Sequence, residues 1–234
     1  MSKEFEIKRE IVLEATPEAV FEAVTAGTAN WMFPVEMDAA IGGVTDDPKV
    51  RAWEPPNRFA VRVEGENGWF NALEYVVEAR DGGTAVLRYV HSGVFTDDWD
   101  NQYDGTAKHT DFYLHTLGQY LKYFPGRTAA YAAVSGPAAS SGEKAMESVK
   151  QVLGVTREGE TIRLALPGLA PVDAVVDYLN PYFLGLRTTD ALYRVFGRNH
   201  FGGTVDAAHH LFGGAGKDET EQAWRTLLDE AFAA

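Results

Sequence analysis

Apolar and polar positions alternate along much of the first half of this chain. Phe5 and Ile7, then Ile11 and Leu13, predict a first strand whose phase slips near Lys8-Arg9-Glu10, at a bulge. Thr16-Pro17-Glu18 has the form of a helix start: Thr at the N-cap, Pro at the first helical position, an acid in the first turn. That helix runs through Ala19 to Val24 and stops near Gly27, and Asn30 to Pro34 is an aromatic loop or short helix. From Ile41 short strands alternate with turns at Gly42-Gly43, Asp46-Asp47-Pro48, Pro55-Pro56-Asn57, Glu66-Asn67-Gly68 and Asp81-Gly82-Gly83. The intervening strands are Val50 to Trp53, Phe59 to Val63 and Trp69 to Ala79. A further strand after Gly83 carries Ala85, Leu87, Tyr89 and His91 on one face and Arg88 on the other. An acidic loop, Thr96 to Asp100, leads into a long helix over Ala107 to Phe124. Its face of Tyr113, Leu114, Leu117, Tyr120, Leu121 and Phe124 opposes Lys108, Asp111, His115, Gln119 and Lys122.

The second half echoes the first. Glu147 to Leu153 matches Glu18 to Val24, and Val175 to Arg187 matches Val50 to Arg62. Gly202-Gly203-Thr204 matches Gly82-Gly83-Thr84, and Trp224 to Leu227 matches Leu114 to Leu117. The offset drifts from about 129 to about 110 residues, so the second copy is expected to have lost loop residues. The expected domains are 1–125 and 126–234, the second opening on a strand at Ala129 to Val134. Gly136 to Gly142 is the most linker-like stretch.

Composition narrows the function classes. Hydrophobic residues at 45%, of which many are aromatic, fill a real core and exclude a disordered chain. A net charge of -13 argues against a phosphate-backbone partner and against anionic membrane surfaces. With no cysteine, disulfides and thiolate chemistry are excluded. The charged N-terminus lacks a signal-peptide core and no apolar run reaches spanning length, so a cytoplasmic protein without membrane insertion is expected.

Glu10 to Val24, Trp31 with Pro34, Gly42-Gly43, Glu54 to Phe59, and Gly82-Gly83-Thr84 through Leu87 to His91-Ser92-Gly93-Val94-Phe95 resemble the START/Bet v 1-like (SRPBCC) superfamily. Within it they are closest to the branch related to the C-terminal domain of the Hsp90 ATPase activator. The resemblance implies an α+β helix-grip fold, a curved antiparallel sheet around a long C-terminal helix, here in tandem with a reduced second copy. It also implies a cavity for hydrophobic small molecules, with polyketide cyclisation and chaperone stimulation known elsewhere in the superfamily. The second copy matches less well: Gly197 to Phe201 falls where a hairpin should continue, and His209-His210 falls in the last strand. The activator's separate N-terminal domain has no counterpart in these residues.

The expected function is binding of a hydrophobic small molecule or lipid-like ligand in the first domain. The candidate lining is Trp53, Phe59, Trp69, Phe70, Tyr75, Tyr89, His91, Tyr113, Leu117 and Tyr120. A chaperone-partner protein and a cyclase or hydratase using His91 and a tyrosine are the alternatives. No cofactor or metal is expected. His209 and His210, adjacent on a strand, point to opposite faces, and His109 and His115 are about 120° off a common helix face. Asp100, Gln102, Asp104 and Asp111 imitate a calcium loop poorly and read as helix capping. Gly213 to Asp218 lacks the first Gly and the Ser/Thr of a phosphate loop, and no Gly-x-Ser-x-Gly elbow is present.

Overall fold

Strand β1 (Lys3–Leu13) runs without a break. In the computed structural model, which describes residues 2–34 and 47–233, it pairs residue for residue with β5 (Thr84–Phe95), from Lys3 opposite Phe95 to Leu13 opposite Ala85. No bulge interrupts the phase near Lys8-Arg9-Glu10. Arg9 takes an inward position in step with Phe5, Ile7, Ile11 and Leu13, and ion-pairs with Asp111. The apparent slip is a charged residue occupying an apolar slot beside its counter-charge.

Helix α1 (Pro17–Val24) starts as its sequence dictates, with the Thr16 hydroxyl accepting from the Ala19 N–H and Pro17 in the first turn. A 3-10 turn (Thr28–Asn30) follows, and Trp31 is sealed in by donating its indole N–H to the Ala23 carbonyl at 2.8 Å. The turn at Gly42-Gly43 and the strand expected from Ile41 lie outside the described residues. Strands β2 (Val50–Glu54), β3 (Arg58–Glu64) and β4 (Phe70–Arg80) complete an antiparallel sheet in the order β1-β5-β4-β3-β2. The β4–β5 turn places Gly82 and Gly83 at φ of 77° and 74°, a region that β-carbons disfavour.

Helix α2 (Trp99–Tyr123) begins eight residues before the expected start. Asp98, at φ 37°, forms the N-cap position, and Gly105 is carried inside the helix. The acidic residues of the expected loop therefore fall at its N-terminus, where the helix dipole favours them. Four contacts set α2 beside β1 in the same direction: Trp99 Nε1 to the Glu4 carbonyl, Arg9 to Asp111, Gly118 against Leu13, and Lys122 to Glu14. Ten strand steps and twenty-three helical steps both span about 35 Å, so strand and helix stay in register from end to end.

The chain divides into two compact units, Met1–Arg127 and Thr128–Ala234. The second repeats the order of the first: β6 (Ala130–Ser135), α3 (Ala145–Val152), β7 (Thr161–Leu164), β8 (Val172–Leu179), β9 (Phe183–Arg187), β10 (Ala191–Gly197), β11 (Val205–Leu211) and α4 (Lys217–Ala231). Its sheet order, β6-β11-β10-β9-β8-β7, is that of the first sheet with one more strand than the first unit's described residues contain. All four sequence echoes fall on equivalent elements. Gly136 to Gly142 is no linker: Gly136 donates to the Val205 carbonyl and Ser140 is fully buried inside the second unit. The reduction of the second copy lies in its elements as well as its loops. The 25-residue α2 corresponds to a 15-residue α4, and strands of 11 and 12 residues correspond to two of 7.

A bulge between Val176 and Tyr178 sets Asp177 against Arg194. The two form a buried bidentate pair at 3.0 and 2.9 Å, with side chains 3% and 1% exposed. Gly185 passes beside it with no room for a β-carbon, which would lie 2.8 Å from the Arg194 Nη1.

Candidate functional site

The inward face of the first sheet follows from its register. Trp53 opposes Phe59, Phe59 opposes Tyr75, and Tyr75 opposes Tyr89, all on one side of the pleat. The rings make a band across the sheet, from Phe21 to Trp53 (5.2 Å between centroids), Phe59 (5.6 Å), Tyr75 (6.0 Å) and Tyr89 (5.2 Å). It continues to His91 (6.4 Å), Phe5 (5.0 Å) and Phe95 (4.1 Å, stacked).

One half of this face is sealed. Phe59, Val77, Leu87 and Leu117 are 0% exposed, and each contributes about 1.5–3 kcal/mol through burial. Towards the β3–β4 hairpin the same inward phase is only half-buried, at Val61, Asn71, Leu73 and His91, and is exposed at Val63. The apolar face therefore opens to solvent at one end, with His91 and Asn71 on its rim.

His91 is held at 2.7 Å from Asn71 through its Nε2. Because Asn71 presents its carbonyl oxygen, Nε2 carries the proton and Nδ1 keeps its lone pair. Burial pushes the imidazole pKa down to about 4, so the ring is neutral at pH 7 and an acceptor at Nδ1. Burial also raises the pKa of Tyr75 and Tyr89, keeping both phenols protonated, and Tyr89 hydrogen-bonds Thr110 of α2. Arg9 is tied to Asp111, whose hydrogen bond raises the guanidinium pKa further.

The ten residues expected to line a cavity divide into groups. Trp53, Phe59, Tyr75, Tyr89 and His91 share the ring band. Leu117 lies in the sealed half. Tyr120 serves the chain path, donating to the Arg127 carbonyl and accepting from Asn30. Tyr113 stands edge-on to Phe33 at 5.9 Å. Trp69 and Phe70 are not inside. Phe70 is five residues from Tyr75 and so on the opposite face, beneath Arg62 at 3.8 Å, while Trp69 is 37% exposed beside Gly65 at the turn. The rim residues Val61, Asn71 and Leu73 escaped an aromatic-only reading, although their period-two phase with Phe59 and Tyr75 marks them.

The interior of the second unit holds a continuous apolar core. Met146, Val149, Val176, Leu184, Leu186, Val195 and Trp224 are buried in one cluster. His209 lies within it, with its ring 4.5 Å from Trp224 and 5.0 Å from Tyr193, and its pKa is pushed well down by burial. His210 faces the other side, 5.4 Å from Tyr131, as strand alternation requires. His209 Nε2, Trp224 Nε1 and Thr220 Oγ1 are buried without a hydrogen-bond partner among the described residues. No group of three metal-binding side chains occurs among the described residues, and no helix there is long and apolar enough to cross a membrane.

Strand order, helix placement and an inward apolar face define an α+β helix-grip fold, present twice in this chain. No family model and no curated protein matches the sequence. Among solved structures, DynU16, encoded in the dynemicin biosynthetic locus, is similar over 97% of this chain and 96% of its own, at 15% identity and a TM-score of 0.41. The Aha1 dimer from Colwellia psychrerythraea is similar over 52% of this chain and 99% of its own, at 18% identity and a TM-score of 0.40. Ara h 8.0201 is similar over 51% and 99%, at 12% identity and a TM-score of 0.39. At these identities and scores the likenesses say nothing about what this chain binds.

Proposed function

We propose that the first unit binds a hydrophobic small molecule or lipid-like ligand at the open end of its concave face. The observation that carries this reading is the half-exposed inward stretch of Val61, Leu73 and His91, continuous with the sealed aromatic band. An apolar ligand covering it gains about 25 cal/mol per Å² of apolar surface removed from water. The Nδ1 of His91 supplies one directional contact, to a ligand hydroxyl or N–H. A pKa of about 4 makes His91 a weak base at neutral pH, which favours binding over cyclase or hydratase chemistry. The cytoplasm is the expected compartment, and a chaperone-like protein partner is the second reading.

Native mass spectrometry of gently purified protein, followed by denaturing extraction, tests the binding reading. A reproducible excess mass that is released as a free organic molecule is expected. A clean apo mass, with no thermal stabilisation across a lipid and polyketide panel, refutes ligand binding and favours the protein partner.

A further inference from the structure

The outer face of the second sheet carries a separate depression of about 210 Å³, formed where β6 and β11 pair. Register explains it. Ala133 lies directly opposite Ala208, while the next positions on that face are Tyr131 opposite His210 on one side and Ser135 opposite Asp206 on the other. Two cross-strand alanines thus make a floor between larger side chains, with Phe196 beside Asp206 on β10 as a further wall.

Arg198, from the 3-10 turn after β10, stands at the rim and is 46% exposed. Its Nη1 donates to Asp206 at 2.9 Å, and its guanidinium lies 5.5 Å from the Phe196 ring. Asp206 is committed on both oxygens, to Arg198 through Oδ2 and to the Thr204 hydroxyl through Oδ1 at 3.2 Å. The guanidinium is therefore oriented by a carboxylate that is itself held by the Thr204 hydroxyl. Its Nε–Nη2 edge has no partner among the described residues. That edge is the planar two-donor fork that matches a carboxylate. Tyr131 and Ser135 add hydroxyl donors around the same floor.

We propose that this depression is a second ligand site, for a small carboxylate with a flat apolar body. The carboxylate takes the free edge of Arg198, and the apolar body lies on Ala133 and Ala208 against the walls of Tyr131 and Phe196. Asp206 is a positioning residue that fixes the fork. The net charge of -13 repels anions at long range, but salt near 0.15 M limits that repulsion to about 8 Å.

The test uses the full chain labelled for amide NMR and titrated with benzoate and with benzamide, its neutral isostere. Benzoate is expected to shift the amides of 131–135 and 205–208, binding about tenfold more tightly than benzamide. Arg198→Gln, at an exposed position, should reduce benzoate to the benzamide level while leaving the remaining spectrum in place. Ala133→Leu, which fills the floor, should weaken both probes. The proposal is overturned if the two probes bind equally, or if Arg198→Gln keeps the preference. It is equally overturned if no amide in these segments moves up to about 10 mM probe. Shifts confined to Leu73 and His91 would place the probe in the first unit, supporting that site and refuting this one.

Discussion

The chemistry of His91 is set by its surroundings. Its folded pKa of about 4 lies below the ordinary 6.5, so between those values the unfolded chain binds a proton that the native state refuses. Stability should therefore fall as pH drops through this window, by about 1.4 kcal/mol per unit from this residue. His209, also depressed, acts in the same direction, so the measurement is the difference between wild type and His91→Gln in urea unfolding from pH 7 to 4. Identical pH dependence of the two proteins would refute the assignment. Thr220 poses the opposite case, a buried hydroxyl without a partner among the described residues. Thr220→Val keeps the shape and removes the unmet polar group, so it should be neutral or stabilise by up to about 1–2 kcal/mol in the same assay. The type and phase of His91 were visible in the sequence. Asn71, which decides its tautomer, was not, because the two meet only across a strand pair.

Among the elements, β4 and β5 show how period two sorts one stretch into a ring band and an outer face. Leu73 belongs to the inward set, so Leu73→Ala should weaken binding of the extracted ligand by about three- to tenfold, whereas Phe70→Ala should leave affinity unchanged. Equal losses in a displacement titration would show that the ligand lies elsewhere. Strand β8 illustrates what periodicity hides. The bulge that brings Asp177 to Arg194 breaks the alternation from which a strand is read. Asp177→Asn leaves a buried guanidinium facing a neutral amide and should cost about 3–5 kcal/mol in chemical denaturation. Helix α2 was legible over its apolar heptads but not in its first two turns, where acidic residues and Gly105 resemble a loop. The contact of Trp99 with the Glu4 carbonyl of β1 holds the helix there.

For the whole molecule, we propose that the two units are domains in the full sense, each able to fold alone. Units of this size bury enough surface to do so. The fragment 1–127 should give a dispersed amide spectrum and retain the ligand, and a collapsed spectrum would refute this. The tandem order was readable in the sequence because α1, the β2–β3 turn, the paired glycines and the last helix keep their local signals in both copies. Local rules of capping, alternation and glycine turns thus determined which elements form and in what order, since each depends on residues close in the chain. Tertiary structure decided which inward positions are sealed and which remain open. It also decided where Arg9 and Arg194 find their carboxylates, and that two alanines from distant strands form one floor. Those outcomes depend on pairs far apart in sequence, whose energies exist only once the sheet has registered.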